Sequence, residues 1–358
     1  MSRGTTAVIN FENLRHNLNV LRDMVPEKLV LVVKANAYGH GLKQVVQALD
    51  DVDCFAVATI DEALIIRQYR PRVRILLLEG FLDNDELKMA FEYHLDSVVH
   101  QQQQLDMLNG MNRSDSINVW LKFDSGMNRL GFKQSEYIQA IESLEKHSSV
   151  NELILMSHFA SANQLQNPFN QEQKQKFLKS SQNHQLSLSN SSALLNGWAI
   201  ENEWCRVGLA LFGVSPVEGM LASDYNLKPV MTLKTNIVAT KQVQAGETIG
   251  YSQTYLAKTN MQIAIIGIGY GDGYPWSLDE SASVMLGKQQ ARIVGRVSMD
   301  MMAIDITGIN NVGTGDSVLI WGENSNGSLP LETVASNAKT IPYVLLCQIT
   351  SRVHYQYV

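Results

Sequence analysis

The stretch Val30-Leu31-Val32-Val33-Lys34-Ala35-Asn36-Ala37-Tyr38-Gly39-His40-Gly41 begins like a strand and ends like a loop. Leu29 to Val33 form the short unbroken apolar run expected of a strand buried on both faces, as in parallel sheets. Lys34 closes that run, although lysine is among the residue types least often buried without a partner. It is either a solvated strand end or a group placed at the mouth of a sheet for chemistry. Tyr38, Gly39, His40 and Gly41 then supply a hydroxyl and a backbone that a ligand can approach closely.

Outward from this stretch the chain alternates. Asn10 is placed to cap a helix carrying Leu14, Leu18 and Leu21 at helical spacing, with Pro26 as its stop. After the Lys34 strand comes a helix through Val45, Val46 and Leu49. A strand over Cys54–Ala58 follows, then a helix opened by the capping-box pair Thr59 and Glu62, then a strand over Ile75–Leu78. Further strands are expected over Ser97–Val99, Val119–Phe123, Leu153–Met156 and Leu186–Leu188, with helical patterns between them. The helix at Gln171–Gln182 is polar on most faces and suits a solvated outer layer. About eight strand–helix units before residue 230 fit a (β/α)8 TIM-like barrel better than an open sheet. Beyond Pro229 the texture changes to strand-like segments, Thr232–Thr240, Gln262–Ile268, Ala291–Val297 and Ser317–Ile320, separated by Gly and Asn turns. The expected division is a barrel over 1–228 and a mainly β domain over 229–358. Lys34 then stands at the C-terminal end of an early barrel strand, the face where barrel enzymes keep their chemistry. Partial burial there lets a lysine lose its charge and form a Schiff base.

Bulk properties narrow the function classes. The chain has 358 residues, 45% of them hydrophobic and 18% charged, which describes an ordinary folded protein of more than one core. A net charge of -6 and the lack of a Lys/Arg-rich run argue against nucleic acid or an anionic membrane as partner. Met1 to Asn10 lacks the apolar core of a signal peptide, and no apolar run approaches the roughly 18 residues of a membrane span. Cys54, Cys205 and Cys347 are isolated, without metal-ligand or redox-pair spacing, as expected of thiols in a reducing, cytoplasmic compartment. No metal is expected. The glycines at 267, 269, 271 and 273 miss the dinucleotide fingerprint in spacing.

Lys34-Ala35-Asn36-Ala37-Tyr38-Gly39-His40-Gly41 closely resembles the pyridoxal-phosphate lysine motif of alanine racemases. Lys122-Phe123-Asp124-Ser125-Gly126-Met127-Asn128-Arg129-Leu130-Gly131 and Ser157-His158-Phe159-Ala160-Ser161-Ala162 are similar to that family's next two motifs. Asn190-Ser191-Ser192-Ala193 and Arg206-Val207-Gly208-Leu209 match its stretches around the cofactor. In the β part, Gly250-Tyr251-Ser252, Gly267-Ile268-Gly269-Tyr270-Gly271-Asp272-Gly273 and Gly295-Arg296-Val297-Ser298-Met299-Asp300 match as well. The motifs occur in the family's order over nearly the whole chain.

The resemblance implies roles residue by residue. Lys34 is the cofactor-bearing lysine and one of two proton-transferring bases, and Tyr251 is the other. Tyr38, Ser191, Gly208 and Leu209 bind the cofactor phosphate, the last two through main-chain N–H groups. Arg206 faces the pyridine nitrogen, and His158, linked to it, supports the cofactor ring. Arg129 and the main-chain N–H of Met299 take the substrate carboxylate. Tyr270 and Asp300 line the entrance. Lys122 stands where the family carries a carboxylated lysine, because a carbamate can hold Arg129 where two cations would repel. Ser351 departs from the pattern, since many relatives place a phosphate-contacting tyrosine there, and that contact is not carried over. The implied activity is pyridoxal 5'-phosphate-dependent interconversion of L- and D-alanine for peptidoglycan synthesis. The implied assembly is a homodimer in which each β domain completes its partner's barrel site. The alternatives are a racemase of serine or a basic amino acid, a fold-related decarboxylase and a non-catalytic cofactor carrier.

Overall fold

The computed structural model describes residues 3–25, 28–111, 116–181, 183–201 and 203–358. The helix stop expected at Pro26 and the last residue of the expected Gln171–Gln182 helix lie outside these. Two compact units are present: Leu18–Leu211 with Ser215–Met220, and Met1–Asn17 with Phe212–Val214 and Leu221–Val358.

The first unit is the expected (β/α)8 barrel. Its sheet has eight strands, in spatial order Gln185–Ser187, Val150–Met156, Ile117–Lys122, Asp96–Val99, Arg74–Leu77, Cys54–Val57, Lys28–Val32 and Trp204–Val207. All neighbouring pairs run parallel. A bridge from Leu186 to Glu203 joins the two ends of the sheet. Val30, Leu31, Cys54 to Val57, Ile75 to Leu77, Val98 and Val99 are fully buried, the double-faced burial that their unbroken apolar runs predict. The expected helix caps are in place. In the Ile60–Tyr69 helix the Thr59 hydroxyl accepts from Glu62 N–H at 3.3 Å. The Glu62 carboxylate in turn takes the N–H of Ala58 at 3.1 Å, one residue earlier than the usual reciprocal bond. The polar outer helix spans Phe169–Lys179.

The second unit is built on a nine-stranded sheet, in the order Gly327–Leu329, Ser317–Asn324, Ser283–Leu286, Gln289–Val294, Met302–Asp305, Met261–Ile266, Met231–Val243, Thr6–Ile9 and His354–Tyr357. Its pairs are antiparallel except Thr6–Ile9 with His354–Tyr357, which places both chain ends in one sheet. The long Met231–Val243 strand also pairs with Ser317–Asn324 and bends at a bulge between Ile237 and Ala239. Gly322, at φ +93°, is needed at this crossing, because a Cβ there would lie 2.7 Å from the Met231 carbonyl oxygen. Two short helices, Leu331–Asn337 and Pro342–Cys347, accompany the sheet. Asn10 Oδ1 accepts from Asn13 N–H at 3.0 Å, the expected cap of the Phe11–Met24 helix.

No helix among the described residues is long and apolar enough to cross a membrane. Cys54, Cys205 and Cys347 form no disulfide among the described residues, and the first two are buried. Among the described residues no three His, Cys, Asp or Glu side chains gather as metal ligands.

Candidate active site

Lys34 leaves the C-terminal end of the Lys28–Val32 strand half-buried, and the backbone after it turns left-handed. Ala35, Asn36, Ala37 and Tyr38 have φ of +53°, +54°, +55° and +50°. Left-handed helix costs about 1–2 kcal/mol per L-residue, so this turn has to be held by its surroundings. Its own bonds begin the task, with Ala37 N–H donating to Val33 O at 2.9 Å and Gly39 N–H to Ala35 O at 3.0 Å. His40 completes it. The imidazole is fully buried, and its Nδ1 lies 3.0 Å from Ala37 O and 2.9 Å from Tyr38 O. Two carbonyl acceptors require the proton on Nδ1. Burial lowers the His40 pKa to about 4, so the ring is neutral at pH 7.

Four cations share the mouth of the barrel. Lys122 ends the Ile117–Lys122 strand and is buried. Burial first, then Arg206, Arg129 and Lys34, lower its pKa from 10.5 to about 8, with Glu79 opposing. Among the described residues Lys122 has no ion-pair partner: the Asp124 carboxylate is taken by Lys133 at 2.5 Å. Asp124 also accepts from the N–H groups of Gly126 and Asn128, both at 3.0 Å, and so shapes the loop that presents the exposed Arg129.

Arg206, on the Trp204–Val207 strand, is buried and heavily tethered. Nη1 donates to Ser187 Oγ at 2.5 Å, and Nη2 reaches Ser157 O at 2.7 Å and His158 Nδ1 at 3.1 Å. Burial lowers its pKa to about 10, with Glu203 opposing, so it remains a cation at pH 7. Burial and the surrounding cations, Arg206 foremost, hold His158 well below the usual imidazole value. The pair is therefore a guanidinium donating to a neutral ring.

Beside it, the Ser191 hydroxyl accepts from Gly208 N–H at 2.9 Å. Gly208 is a close-approach glycine, because a Cβ there would lie 2.5 Å from the Tyr38 hydroxyl. Tyr38, Ser191, Gly208 and the buried Leu209 thus gather hydroxyl and main-chain amide groups around one small space, a donor set that suits a phosphate. A buried arginine on one side and hydroxyls with amides on the other fit the two polar ends of pyridoxal phosphate.

The β unit carries the other expected site residues. Tyr251 follows Gly250 and is 72% exposed, on an open groove of about 390 Å³ with Ile249, Arg296, Ser298 and Met301. Tyr270 and Met299 are also exposed, and their two turns are bound to each other. Tyr270 N–H donates to Ser298 O at 3.1 Å and Gly271 N–H to Met299 O at 2.9 Å. A Cβ on Gly269 would lie 2.1 Å from Ser298 O, so the glycine-rich stretch serves this close packing. Asp272, fully buried, pins the arrangement. Its carboxylate takes Arg3 at 3.1 and 3.2 Å, Arg352 at 3.2 Å and Gly269 N–H at 3.0 Å. Arg352 also holds Asp300 at 2.5 Å, and Arg3 donates to Asp300 O at 3.3 Å. Ser351, beside Arg352, is exposed.

Within the barrel unit, then, Lys34, Tyr38, Lys122, Arg129, His158, Ser191, Arg206, Gly208 and Leu209 belong to one mouth. Tyr251, Tyr270, Met299, Asp300 and Ser351 belong to the β unit. Reading the sequence assigned no task to His40, Glu203, Asp272, Arg3 or Arg352. Single charges and lone histidines carry no local pattern. His40 and Asp272 lie inside the family-like motifs, and that position is their one signal in the sequence.

Residues 9–216 match the family model "Alanine racemase, N-terminal domain", and residues 230–357 match "Alanine racemase, C-terminal domain". The alanine racemase of Shewanella woodyi is 40% identical over 352 residues, covering 97% of each chain. The crystal structure of the biosynthetic alanine racemase from Pseudomonas aeruginosa superposes with a TM-score of 0.95 at 37% identity, covering 99% of each chain. Alanine racemase from Bartonella henselae, solved with covalently bound pyridoxal phosphate, superposes with a TM-score of 0.87 at 26% identity, covering 99% of each chain.

Proposed function

The chain belongs to the alanine racemase family, and from that premise we propose that it interconverts L-alanine and D-alanine with pyridoxal 5'-phosphate. When bound, that cofactor withdraws electrons from the amino acid and makes its Cα–H acidic. The chain's residues do the rest. Lys34 Nζ holds the cofactor covalently and moves a proton on one face of Cα. Tyr38, Ser191 and the N–H group of Leu209 bind the phosphate, together with the N–H of Gly208, which is shared with Ser191 Oγ. Arg129 and Met299 N–H take the substrate carboxylate, a planar fork of donors being suited to it. Among the described residues Met299 N–H has no other acceptor, which supports that role. Tyr270 and Asp300 line the way in, and Tyr251 moves the proton on the opposite face.

Two bases are needed because a single base tends to return the proton to the side it came from. The observation that carries the reading is Arg206, a buried cation where the ring nitrogen is to be bound. A guanidinium keeps its proton at pH 7, so Arg206 would hold the cofactor's ring nitrogen as a hydrogen-bond donor and would make the bound group a weaker electron sink, which favours return of the proton to Cα over transamination. A decarboxylase on this scaffold is expected to carry a carboxylate there. His158, neutral and hydrogen-bonded to Arg206, steadies the ring and transfers no proton.

We also propose a cytoplasmic homodimer supplying D-alanine for peptidoglycan. Residues 1–228 bind the cofactor, and 229–358 lend Tyr251 and Met299 to the partner's barrel. The exposure of Tyr251, which lines an open groove, and of Tyr270 and Met299 supports that sharing. The direct test is reduction of the yellow holoprotein with borohydride followed by peptide mapping. The pyridoxyl label is expected on Lys34, and recovery on another lysine would overturn the assignment. A chiral assay with alanine, serine, lysine and arginine separates alanine racemisation from its closest rival.

A further inference from the structure

We infer that Glu203 is a positioning residue of the cofactor site, closing the last seam of the barrel and shaping the Leu188–Ser191 turn that seats Arg206 and Ser191. The inference rests on the cofactor reading above.

Among the described residues the eight barrel strands make seven neighbouring ladders, and the eighth contact, between Gln185–Ser187 and Trp204–Val207, is a single bridge at Leu186 and Glu203. Side chains take over where the ladder is missing. Glu203 is 3% exposed, and its carboxylate accepts from Leu188 N–H at 2.9 Å, Ser189 N–H at 3.0 Å and Ile200 N–H at 2.8 Å. The Ser189 hydroxyl donates to it as well. Four donors on one buried carboxylate are charge-assisted bonds, and they satisfy a group that is costly to bury alone. Ser187 Oγ crosses the same seam to Trp204 O at 2.6 Å.

Arg206 holds the segment from the other side. Its N–H donates to Ser189 O at 3.0 Å, Nη1 to Ser187 Oγ at 2.5 Å and Nη2 to Leu188 O at 3.3 Å. Residues 187–189 therefore lie between an anion and a cation that are three residues apart in sequence. The next two residues build the phosphate side: Asn190 caps Ala193 N–H at 2.9 Å, and Ser191 Oγ receives Gly208 N–H. Glu203 also supplies the negative charge that opposes the burial of the Arg206 guanidinium. Its donors are the main chain and Ser189, so it acts through the turn and not on the reacting atoms.

The test is the affinity of apo-protein for pyridoxal 5'-phosphate, read by protein fluorescence, in wild type, Glu203→Gln and Ser189→Ala. Glutamine keeps the size, removes the charge and turns an amide donor toward N–H groups. Outer partners of metal ligands are worth about 10–100-fold in affinity, and by analogy a loss on that scale is expected for Glu203→Gln. Ser189→Ala removes one bond and leaves the charge, so a smaller loss in the same direction is expected. A Glu203→Gln protein that melts earlier but binds pyridoxal phosphate within twofold of wild type shows a purely structural role and overturns the inference. If Glu203→Gln does not fold, Ser189→Ala decides: weaker binding supports the inference and unchanged binding rejects it. If wild type itself takes up no pyridoxal phosphate, the functional reading fails and the inference falls with it.

Discussion

Arg206 donates through Nη2 to Nδ1 of His158 over 3.1 Å, which places the histidine proton on Nε2 and leaves a neutral ring beside a cation. Burial and the nearby cations keep His158 from protonating near neutrality, so it adds no step to the pH profile around pH 6–7. Arg206→Glu reverses the charge at that point. Racemisation should fall by about 100-fold or more, the scale seen when a preorganised electrostatic partner is lost. Transamination should rise, visible as accumulating pyridoxamine phosphate. Unchanged racemisation without that product would refute the role given to Arg206.

Lys122 is expected to carry a carbamate. Its pKa near 8 leaves a useful share of free amine at neutral pH, and Arg129 is among the cations that lower it. The amine adds carbon dioxide and releases a proton, and the anion formed can hold the guanidinium of Arg129 by charge-assisted bonds. Lys122→Ala should lower activity, and added short carboxylates should restore part of it. High-resolution density showing a bare ammonium near neutral pH would contradict this. An ordinary ion pair with Asp124 is already excluded by Lys133, which occupies that carboxylate.

His40 makes the fold acid-sensitive. Its folded pKa, about 4, lies below the ordinary imidazole value of 6.5, so the unfolded chain binds the proton first. Stability is therefore full above the unfolded value and declines as pH falls from about 6.5 toward 4, by about 3 kcal/mol for this group. His158 contributes in the same direction. His40→Asn offers an amide donor near the Nδ1 position and does not titrate. Urea unfolding of this variant between those pH values should show a shallower pH slope than wild type. An identical slope would show that His40 is not the sensor.

The barrel was legible because strands buried on both faces leave unbroken apolar runs, as at Leu29–Val33 and Cys54–Val57. Trp204–Val207 was not, since one of its four residues is Arg206, a charge that reads as a loop until its buried acceptors are seen. Thr6–Ile9 was missed for another reason: its partners, near residues 231 and 354, are remote in sequence. Leu331–Asn337 and Pro342–Cys347 are too short to carry a helical period. The left-handed turn after Lys34 has no signal in the sequence, because Ala-Asn-Ala-Tyr contains no glycine and alanine favours the right-handed helix. Roles for Lys34, Arg206 and Tyr251 came from motif resemblance. Glu203 and Asp272 escaped because an isolated acid usually means a solvated surface.

Sharing of the site between subunits predicts complementation. Lys34→Ala and Tyr251→Phe chains should each be inactive alone. In a mixed two-fold dimer one site loses both groups, while the other keeps an intact lysine and an intact tyrosine. Random pairing makes about half of the dimers mixed with one good site in two, so roughly a quarter of all sites should recover. Co-expression with two affinity tags isolates the mixed dimers. No recovery in verified mixed dimers would mean that each chain serves itself.

The most direct measurement is racemisation in deuterium oxide, started separately from L-alanine and from D-alanine with the purified holoprotein. Enantiomers have equal free energy, so both reactions should end at the same equal mixture. The newly formed enantiomer should carry deuterium at Cα in each direction, because Tyr251 and Lys34 deliver from opposite faces. Carbon dioxide release, or Cα exchange with retained configuration and no second enantiomer, would contradict the account.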